Sequence, residues 1–207
     1  MAKGILNMNK PPVLGICAQS SGMGKTTLLE KLLPALATRG IRVSVIKQTC
    51  AEFDIDRPGK DSHRLRQAGA AQVLLSSPQR WVLMSEQATD HSDDRLMPLI
   101  RHLDGSKIDL VLVEGFRHAP IHKIEVYRAG TDASLLAWHD PRVIAVASDI
   151  FLAAPVPLLD LNDAAAVAAH IVQWMAPARG IEKTRAEQTG KTATEFQADA
   201  CCSACSA

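Results

Sequence analysis

Residues 20–27 read Ser-Ser-Gly-Met-Gly-Lys-Thr-Thr and directly follow an apolar run at residues 13–18. A strand that feeds a glycine-containing turn and then opens a helix is the context of a phosphate-binding loop, or P-loop. The two glycines allow successive N–H groups to point into one anion-sized hollow, to which the helix adds the positive end of its dipole. Lys25 can then reach the β- and γ-phosphates, while the Thr26 hydroxyl can ligate Mg²⁺. The stretch therefore predicts a nucleoside triphosphate site at Ser21, Gly22, Met23, Gly24, Lys25, Thr26 and Thr27.

One position departs from the P-loop pattern. The pattern G-x-x-x-x-G-K-[ST] places a glycine five residues before Gly24, where this chain has Gln19. A strand–turn–helix corner with a chance lysine is the alternative interpretation. The residues after the loop favour a P-loop, because leucines recur at helical spacing over residues 28–36 and a β-branched strand follows at residues 42–47. Strand, loop, helix and strand form one βαβ unit with an expected right-handed crossover.

The composition limits the classes of protein to which the chain can belong. A length of 207 residues with 47% hydrophobic residues suits one α/β domain with a proper core. The formal net charge of +1 provides no general attraction to nucleic acid or anionic lipid, and no apolar run approaches the roughly 20 residues that a membrane span needs. Residues 1–12 have no long apolar segment, which argues against a signal peptide. We therefore expect a cytoplasmic protein that binds neither nucleic acid nor membrane, with Cys17 as a small buried hydrophobe of the first strand.

Further periodic segments predict an α/β, doubly wound fold with a mostly parallel sheet. Strands are expected at residues 72–76, 80–84, 109–113, 123–127 and 142–147, and helices at residues 62–70, 93–103 and 163–175. The first two of these strands can form a hairpin, so the sheet need not be wholly parallel. The chain divides into an N-terminal extension (1–12), a P-loop domain (13–175) and a cysteine-containing tail (176–207). The tail holds few large apolar side chains, which predicts disorder.

A second landmark is the stretch Asp-Leu-Val-Leu-Val-Glu-Gly at residues 109–115. Four consecutive apolar residues read as a buried central strand that delivers Glu114 to the carboxyl edge of the sheet, where ligands bind in open α/β folds. There Glu114 can hold Mg²⁺ directly or through water, as the acidic residue of a Walker-B strand does. The alternative is a strand-end carboxylate that faces solvent.

At these motifs the chain resembles the molybdopterin-guanine dinucleotide biosynthesis adaptor (MobB) family, which shares a P-loop class with dethiobiotin synthetase and the signal-recognition GTPases. The likeness runs in order over about residues 13–175, and its most specific segment is Pro-Gly-Lys-Asp-Ser at residues 58–62. The matching stretches are Ser-Gly-Met-Gly-Lys-Thr-Thr-Leu-Leu (21–29), Arg-Gly-Ile-Arg (39–42), Val-Ile-Lys (45–47), Asp-Ile-Asp-Arg-Pro-Gly-Lys-Asp-Ser (54–62), Leu-Arg-Gln-Ala-Gly-Ala (65–70), Arg-Trp with Leu-Met (80–84), Leu-Val-Glu-Gly-Phe (112–116) and Ile-Ala-Val-Ala-Ser-Asp (144–149). The family also lacks the first P-loop glycine, in agreement with Gln19.

The resemblance implies a GTP-binding partner of the guanylyltransferase that joins GMP to molybdopterin. The transfer belongs to that partner enzyme, so the chain is expected to be an adaptor with at most slow GTP hydrolysis. Mg²⁺ with GTP is the implied cofactor, and molybdopterin is a possible ligand. Molybdopterin-charged proteins and molybdoenzymes are possible further partners of an expected homodimer. Where the family often has Lys-His-Thr-His-His, this chain has Lys47-Gln48-Thr49-Cys50-Ala51, so no metal or proton role of those histidines carries over.

The charged segment at residues 54–66 lies where related nucleotide switches respond to the γ-phosphate. Asp56 and Asp61 are the candidate catalytic residues, because either could hold Mg²⁺-bound water or orient an attacking water. Lys60 and Arg64 could meet phosphates of the nucleotide or of molybdopterin. Alternatively, the segment is a solvated loop in which Asp61 or Ser62 caps the next helix.

No Asn-Lys-x-Asp motif for guanine recognition occurs in the chain. Base contacts in this wider P-loop class come from the segment after a late strand, which here covers residues 147–163. A carboxylate in that segment could accept hydrogen bonds from guanine N1 and N2, and the candidates are Asp149 and Asp160. The alternative is that Asp160 and Asn162 only form the loop and the N-cap of the last helix.

Three of the five cysteines, Cys201, Cys202 and Cys205, lie among the last seven residues. Three thiolates could bind a soft metal, although a zinc site would need a fourth ligand from elsewhere in the chain. No βαβ context for a thioredoxin-like motif surrounds them. An oxidation-prone tail is the simpler interpretation.

Two rival functions share the P-loop. A dethiobiotin-synthetase-like ligase or small-molecule kinase needs a substrate pocket and a phosphoryl acceptor, for which the sequence offers no candidate. A regulatory NTPase without a link to molybdenum would keep the loop and lose the cofactor interaction. The Pro-Gly-Lys-Asp-Ser segment at residues 58–62 favours the adaptor.

Overall fold

The computed structural model describes residues 11–49, 55–85, 95–130 and 134–176, and these ranges contain eight strands and four α-helices. The strands are β1 (Val13–Cys17), β2 (Val43–Lys47), β3 (Gln72–Ser76), β4 (Trp81–Ser85), β5 (Leu110–Glu114), β6 (His122–Tyr127), β7 (Val143–Ser148) and β8 (Leu158–Asp160). The helices are α1 (Lys25–Ala37), α2 (Asp61–Gln67), α3 (Leu96–Ile100) and α4 (164–176). Residues 1–10 of the predicted extension, Cys50 and the tail from residue 177 with its three cysteines lie outside the described ranges.

Six strands form a parallel sheet in the order β2-β5-β1-β6-β7-β8. Strands β2 and β5 lie on one side of β1 in the sheet, whereas β6, β7 and β8 lie on its other side. The strand order therefore reverses around β1, and in open α/β sheets ligands bind at the carboxyl end of the strands at such a point. The expected doubly wound α/β fold is confirmed.

Both faces of this sheet are covered. On one face, α1 and α4 bury leucines and other apolar residues against Leu14, Leu112 and Ile124. On the other face, α3 packs against Val111 and Val113. Successive residues of β5 point to opposite faces, which explains why every position of this strand is buried.

The hairpin expected near residues 72–84 is present, but it does not join the main sheet. β3 and β4 pair in antiparallel fashion as a separate two-stranded sheet. Within the described residues the main sheet contains parallel pairs alone, which agrees with the mostly parallel sheet predicted from the sequence.

Two expectations need correction. The helix predicted over residues 93–103 is only five residues long, α3 at Leu96–Ile100, and the chain turns directly afterwards. The strand β8 was not predicted, because its three residues are too few to show a periodic pattern. The final helix lies within one residue of its prediction.

Within the described ranges, no helix has both the length and the apolar character that crossing a membrane requires.

Candidate nucleotide-binding site

A cavity of about 540 Å³ opens at the carboxyl ends of β1 and β5, next to the point where the strand order reverses. The loop after β1 and the first turn of α1 form one wall, and the residues after β2 and β5 form the other. Six of the seven predicted P-loop residues line the cavity: Ser21, Gly22, Gly24, Lys25, Thr26 and Thr27. Met23 does not line the cavity; this residue is 6% exposed and packs in the hydrophobic core.

The loop leaves the first turn of α1 open to the cavity. Gly24 is the N-cap residue in a left-handed conformation, with φ of 88°, and no side chain caps the helix. The first N–H groups of a helix lack partners within the helix, so they are available to an anion together with the positive end of the dipole. The ammonium of Lys25 donates to the carbonyl of Ser20 over 3.0 Å, which holds this side chain along the loop. The geometry suits a chain of phosphates.

Three side chains from three elements meet beside this loop. The Thr26 hydroxyl, on α1, donates to Oε1 of Glu114, on β5, over 2.7 Å. The ammonium of Lys47, at the end of β2, lies 3.2 Å from Thr26 Oγ1 and 3.3 Å from Glu114 Oε2. Lys47 and Glu114 are register partners in the sheet, which places both at its carboxyl edge. Glu114 is 7% exposed, so the solvent-facing alternative for this carboxylate is wrong.

The turn after Glu114 is held by Gln48, one of the positions at which the chain departs from the MobB pattern. The backbone N–H of Gln48 donates to the Glu114 carbonyl over 2.8 Å, and its side-chain oxygen accepts from the N–H of Phe116 over 2.6 Å. Gly115 has φ of 94°, and a Cβ built on it would lie 2.8 Å from the Cβ of Gln48. A larger residue after Glu114 would therefore press on Gln48 and would take a strained backbone conformation.

Arg117 contributes to the site although the sequence analysis did not select it. Its Nη1 donates to the backbone oxygen of Gln19 over 3.0 Å and to the side-chain oxygen of Gln19 over 3.1 Å. Gln19 in turn donates to the carbonyl of Ser134 over 2.9 Å. The residue in place of the missing P-loop glycine thus ties the loop to the turn after β5 and to the segment after β6. In the sequence, this arginine could have been selected as a basic residue three positions after Glu114.

Arg128, which follows β6, also approaches the loop. A Cβ built on Gly24 would lie 3.0 Å from Arg128 Nε and 3.1 Å from Nη2. The guanidinium therefore lies directly against the N-cap of α1, and any larger residue at position 24 would displace it. Contact between the end of β6 and the loop after β1 follows from their adjacent places in the sheet.

The candidates in the segment before and within α2 do not line the cavity. Asp56 is buried and accepts from the hydroxyl of Ser62 over 2.7 Å and from the N–H of Arg57 over 3.1 Å, while Arg66 lies 3.5 Å away. This carboxylate organises its own segment. Its proposed action on water stays a prediction that the cavity lining does not support.

Asp61, Lys60 and Arg64 are exposed, and all three lie outside the cavity lining. The side chain of Asp61 is 96% exposed and lies 3.7 Å from Arg64. The N-cap of α2 is Lys60, without a side-chain cap, so neither Asp61 nor Ser62 caps this helix. Roles of these residues towards phosphate or water stay predictions.

The two candidates for guanine recognition also have structural contacts. Asp149 accepts from the N–H of Ala129 over 3.0 Å, which joins the ends of β7 and β6. Asp160 accepts from the N–H of Asn162 over 2.8 Å, in the loop that leads to α4. Asp163, rather than Asn162, caps α4 by accepting from the N–H of Ala166 over 2.9 Å. Neither candidate lines the cavity, and their recognition of guanine stays a prediction.

A group of buried ionisable side chains adjoins the cavity, and one of its members, Cys17, is part of the cavity lining. Burial, with a smaller effect of the nearby Glu125, raises the pKa of Cys17 to about 12. Burial also raises the pKa of Glu125, although the N–H groups of Leu136 and Ala137 donate to it. The expectation that Cys17 is buried is confirmed. A thiol with this pKa is neutral at physiological pH and is not a nucleophile.

Lys123 and Asp140 form the second part of this buried group. Lys123 is 1% exposed, and its ammonium lies 2.7 Å from Asp140 Oδ2. Partial burial acts to raise the pKa of Asp140, but the hydrogen bonds from Lys123 and from the Arg142 N–H outweigh it. The pKa of Asp140 therefore lies below its ordinary value. The pair fastens the segment after β6 to the sheet.

The available oxygen donors fit one particular kind of metal. Among the described residues, no group of three or more histidine, cysteine, aspartate or glutamate side chains could hold an ion. Mg²⁺ does not require such a cage, because it is usually bound by one or two protein oxygens together with phosphate and water. Thr26 and Glu114 supply a hydroxyl and a carboxylate beside the phosphate cavity. They fit Mg²⁺ bound with a nucleotide.

Comparison with known proteins adds an independent observation. The chain matches the family described as "Molybdopterin guanine dinucleotide synthesis protein B" (MobB) over residues 13–149. It is 48% identical over 176 residues to the molybdopterin-guanine dinucleotide biosynthesis adapter protein of Escherichia coli K12, covering 82% of this chain and 96% of that protein. It is 43% identical over 173 residues to the protein of the same name from Haemophilus influenzae, covering 84% of this chain and 94% of that protein.

Solved structures share the fold. A crystal structure of molybdopterin-guanine biosynthesis protein B is similar with a TM-score of 0.60 and 26% identity, covering 78% of this chain and 99% of that chain. The crystal structure of Bacillus subtilis MobB has the same TM-score at 24% identity, covering 78% of this chain and 97% of that chain. At this level of identity the likeness supports a shared fold alone. The region of family similarity includes the P-loop, Lys47 and Glu114.

Proposed function

The chain belongs to the molybdopterin guanine dinucleotide synthesis protein B (MobB) family, and we propose that it is a GTP-binding adapter in molybdopterin guanine dinucleotide biosynthesis. In this role it assists the guanylyltransferase that attaches GMP to molybdopterin. The transfer of GMP belongs to that partner enzyme. The names of the curated relatives support the adapter role, and the phosphate cavity supports nucleotide binding.

The single observation that carries nucleotide binding is the open N-terminus of α1 beside the joined pair Thr26 and Glu114. The backbone of the loop and Lys25 receive phosphate oxygens. Thr26 and Glu114 would hold Mg²⁺, and the ion would offset the charge of the phosphates. A volume of about 540 Å³ lies within the range of small-molecule sites.

The lining of the cavity supports slow hydrolysis. Among the described residues that line it, Glu114 is the one carboxylate, and no histidine is present. Glu114 already accepts from Thr26 and faces Lys47, so it is poorly suited to take a proton from an attacking water. We therefore propose a nucleotide-dependent adapter with at most weak GTPase activity.

Further parts of the proposal rest on the family resemblance. They are a cytoplasmic location, a homodimer, molybdopterin as a ligand, and contacts with molybdopterin-charged proteins or molybdoenzymes. Lys60 and Arg64 are exposed cations outside the cavity, and we propose that they meet phosphate groups of molybdopterin or of a partner rather than of the bound nucleotide.

Reconstitution tests this function. Purified guanylyltransferase, molybdopterin and Mg·GTP are incubated with and without the purified chain, and formation of the guanine dinucleotide is measured. We expect the chain to increase product formation in the presence of the transferase and to form none alone. Its own GTP turnover should lie well below the roughly 1–10³ s⁻¹ typical of enzymes.

Two results would contradict the proposal. Transfer of GMP by the chain alone would make it the catalyst, and an unchanged transferase rate at saturating chain would remove the adapter role. Phosphorylation or carboxylate activation of a small molecule would support the rival kinase or dethiobiotin-synthetase-like ligase.

A further inference from the structure

Lys47 occupies an unusual place relative to the proposed metal site. Its ammonium contacts both Thr26 Oγ1, at 3.2 Å, and Glu114 Oε2, at 3.3 Å. Lys47 itself lies outside the cavity lining, but these two side chains, whose oxygens fit Mg²⁺, both line the cavity. The Lys47 ammonium therefore supplies positive charge at the place where a bound metal ion would supply it.

The carboxylate of Glu114 needs such a charge. Its side chain is only 10% exposed, and a buried carboxylate is costly unless a cation or several donors accompany it. Thr26 supplies one donor, and Lys47 supplies the cation.

Lys47 can leave this place, whereas the two cations that line the cavity, Lys25 and Arg117, are held by the phosphate-binding loop. Its side chain is 55% exposed and carries its charge on a flexible four-carbon stem. Lys25 donates to the Ser20 carbonyl, and Arg117 donates to Gln19. An ammonium and a divalent ion that contact the same two side chains repel one another. The affinity of these side chains for either cation is therefore lower when the other cation is present.

We propose that Lys47 is an exchangeable counter-charge that makes the site selective for a magnesium–triphosphate complex. Without nucleotide it neutralises Glu114 and opposes binding of a divalent ion. With Mg²⁺ and a triphosphate bound, the Lys47 ammonium would leave Glu114 and would pair with the terminal phosphate. The inference rests on the proposed nucleotide function and extends it by assigning the preference for triphosphate over diphosphate to a residue outside the P-loop.

Substitution of Lys47 should therefore have two opposite effects. Lys47→Met removes the charge at similar length. We expect affinity for Mg·GTP to fall by about tenfold, the loss of one charge-assisted contact, while affinity for GDP changes by less than about twofold. The affinity for a divalent ion alone should instead rise, because its competitor is gone.

The experiment measures both effects on the full chain. Isothermal calorimetry provides GTP and GDP affinities with Mg²⁺, and electron paramagnetic resonance with Mn²⁺ alone reports the metal site without nucleotide. Lys107→Met is the matched control, since Lys107 is an exposed lysine paired with Asp104 and precedes β5, at the end of this strand opposite Glu114. Lys47→Gln is the second variant and should behave as Lys47→Met does. Circular dichroism verifies the fold of each variant.

The expected result is a GTP-to-GDP preference that falls by about tenfold in both Lys47 variants, together with Mn²⁺ binding that tightens by about the same factor. An unchanged preference, or Mn²⁺ binding no tighter than in the wild type, would overturn the inference. A wild type that binds no GTP would instead refute the proposed nucleotide function, and the Mn²⁺ measurement would still report on Lys47 itself.

Discussion

The Thr26 hydroxyl donates to the Glu114 carboxylate over 2.7 Å, although the two residues are 88 positions apart in the chain. The bond joins the first turn of α1 to the end of β5. It brings a hydroxyl and a carboxylate, both oxygen ligands suited to Mg²⁺, to the wall of the phosphate cavity.

The hydroxyl of Thr26 should therefore be required for magnesium-dependent nucleotide binding. We expect Thr26→Val to lower Mg·GTP affinity by about tenfold or more, because a metal ligand and a hydrogen bond are lost together. Thr26→Ser retains the hydroxyl and should stay within about threefold of the wild type. Calorimetric titrations with excess Mg²⁺ and with chelator measure the effect. The assignment fails if Thr26→Val binds GTP with the same magnesium dependence as the wild type.

The parts of the site that the sequence could predict are local in the chain. The P-loop, α1 and β2 follow one another within residues 13–47, and their residue types dictate strand, turn and helix without reference to the rest of the fold. The apolar run before Glu114 likewise shows a buried strand ending in a carboxylate. These patterns were enough to predict the fold class and the P-loop residues that line the cavity.

The remaining parts depend on which strands become neighbours. Lys47 meets Glu114 because β2 pairs with β5, and Arg128 meets Gly24 because β6 pairs with β1. No local pattern encodes those pairings. The same limitation applies to Asp56, because its contacts with Ser62 and Arg66 could not be read from a local pattern. Its catalytic role stays a prediction.

Gly115 should tolerate substitution less well than another glycine with similar backbone geometry. Gly115→Ala places a Cβ 2.8 Å from the Cβ of Gln48 at φ of 94°, whereas a Cβ on Gly130, at φ of 85°, meets nothing within 4 Å. We expect Gly130→Ala to cost about 1 kcal/mol of unfolding free energy and Gly115→Ala at least about 1 kcal/mol more. Denaturant unfolding of both variants provides the comparison. Equal costs would show that Gln48 moves aside without penalty.

The buried Glu125 should affect the pH dependence of stability. Burial raises the pKa of Glu125 above its ordinary 4.5, so the folded state holds this proton more tightly than the unfolded state. Its contribution to stability is present below about pH 4.5 and is lost as the pH rises through the folded pKa. We expect the stability of Glu125→Gln relative to the wild type to improve as the pH rises.

Unfolding in urea between about pH 4 and pH 8 measures this difference. Glu30→Gln, at an exposed position on α1, is the control and should show no comparable trend. A Glu125→Gln variant whose relative stability falls with rising pH would reverse the assigned direction.

Cys17 should be unreactive in the folded protein. Burial raises the pKa of its thiol to about 12, which leaves very little thiolate at pH 8, and the side chain is shielded from reagents. Alkylation with iodoacetamide, followed by peptide mass spectrometry, should modify Cys17 only after denaturant is added. Modification of Cys17 at the same rate in native and denatured protein would contradict its buried position.

The most direct test of the nucleotide site is calorimetric titration of the full chain with Mg·GTP, performed on the wild type, Lys25→Ala and Lys31→Ala. Lys25 lies at the cavity and Lys31 is exposed on the same helix outside the cavity lining. Loss of one charge-assisted bond costs about 1.5–3 kcal/mol, or more than tenfold in affinity. We expect saturable binding to the wild type and to Lys31→Ala, with an affinity lowered at least about tenfold in Lys25→Ala. Equal affinity of all three proteins, or no binding by the wild type, would contradict it.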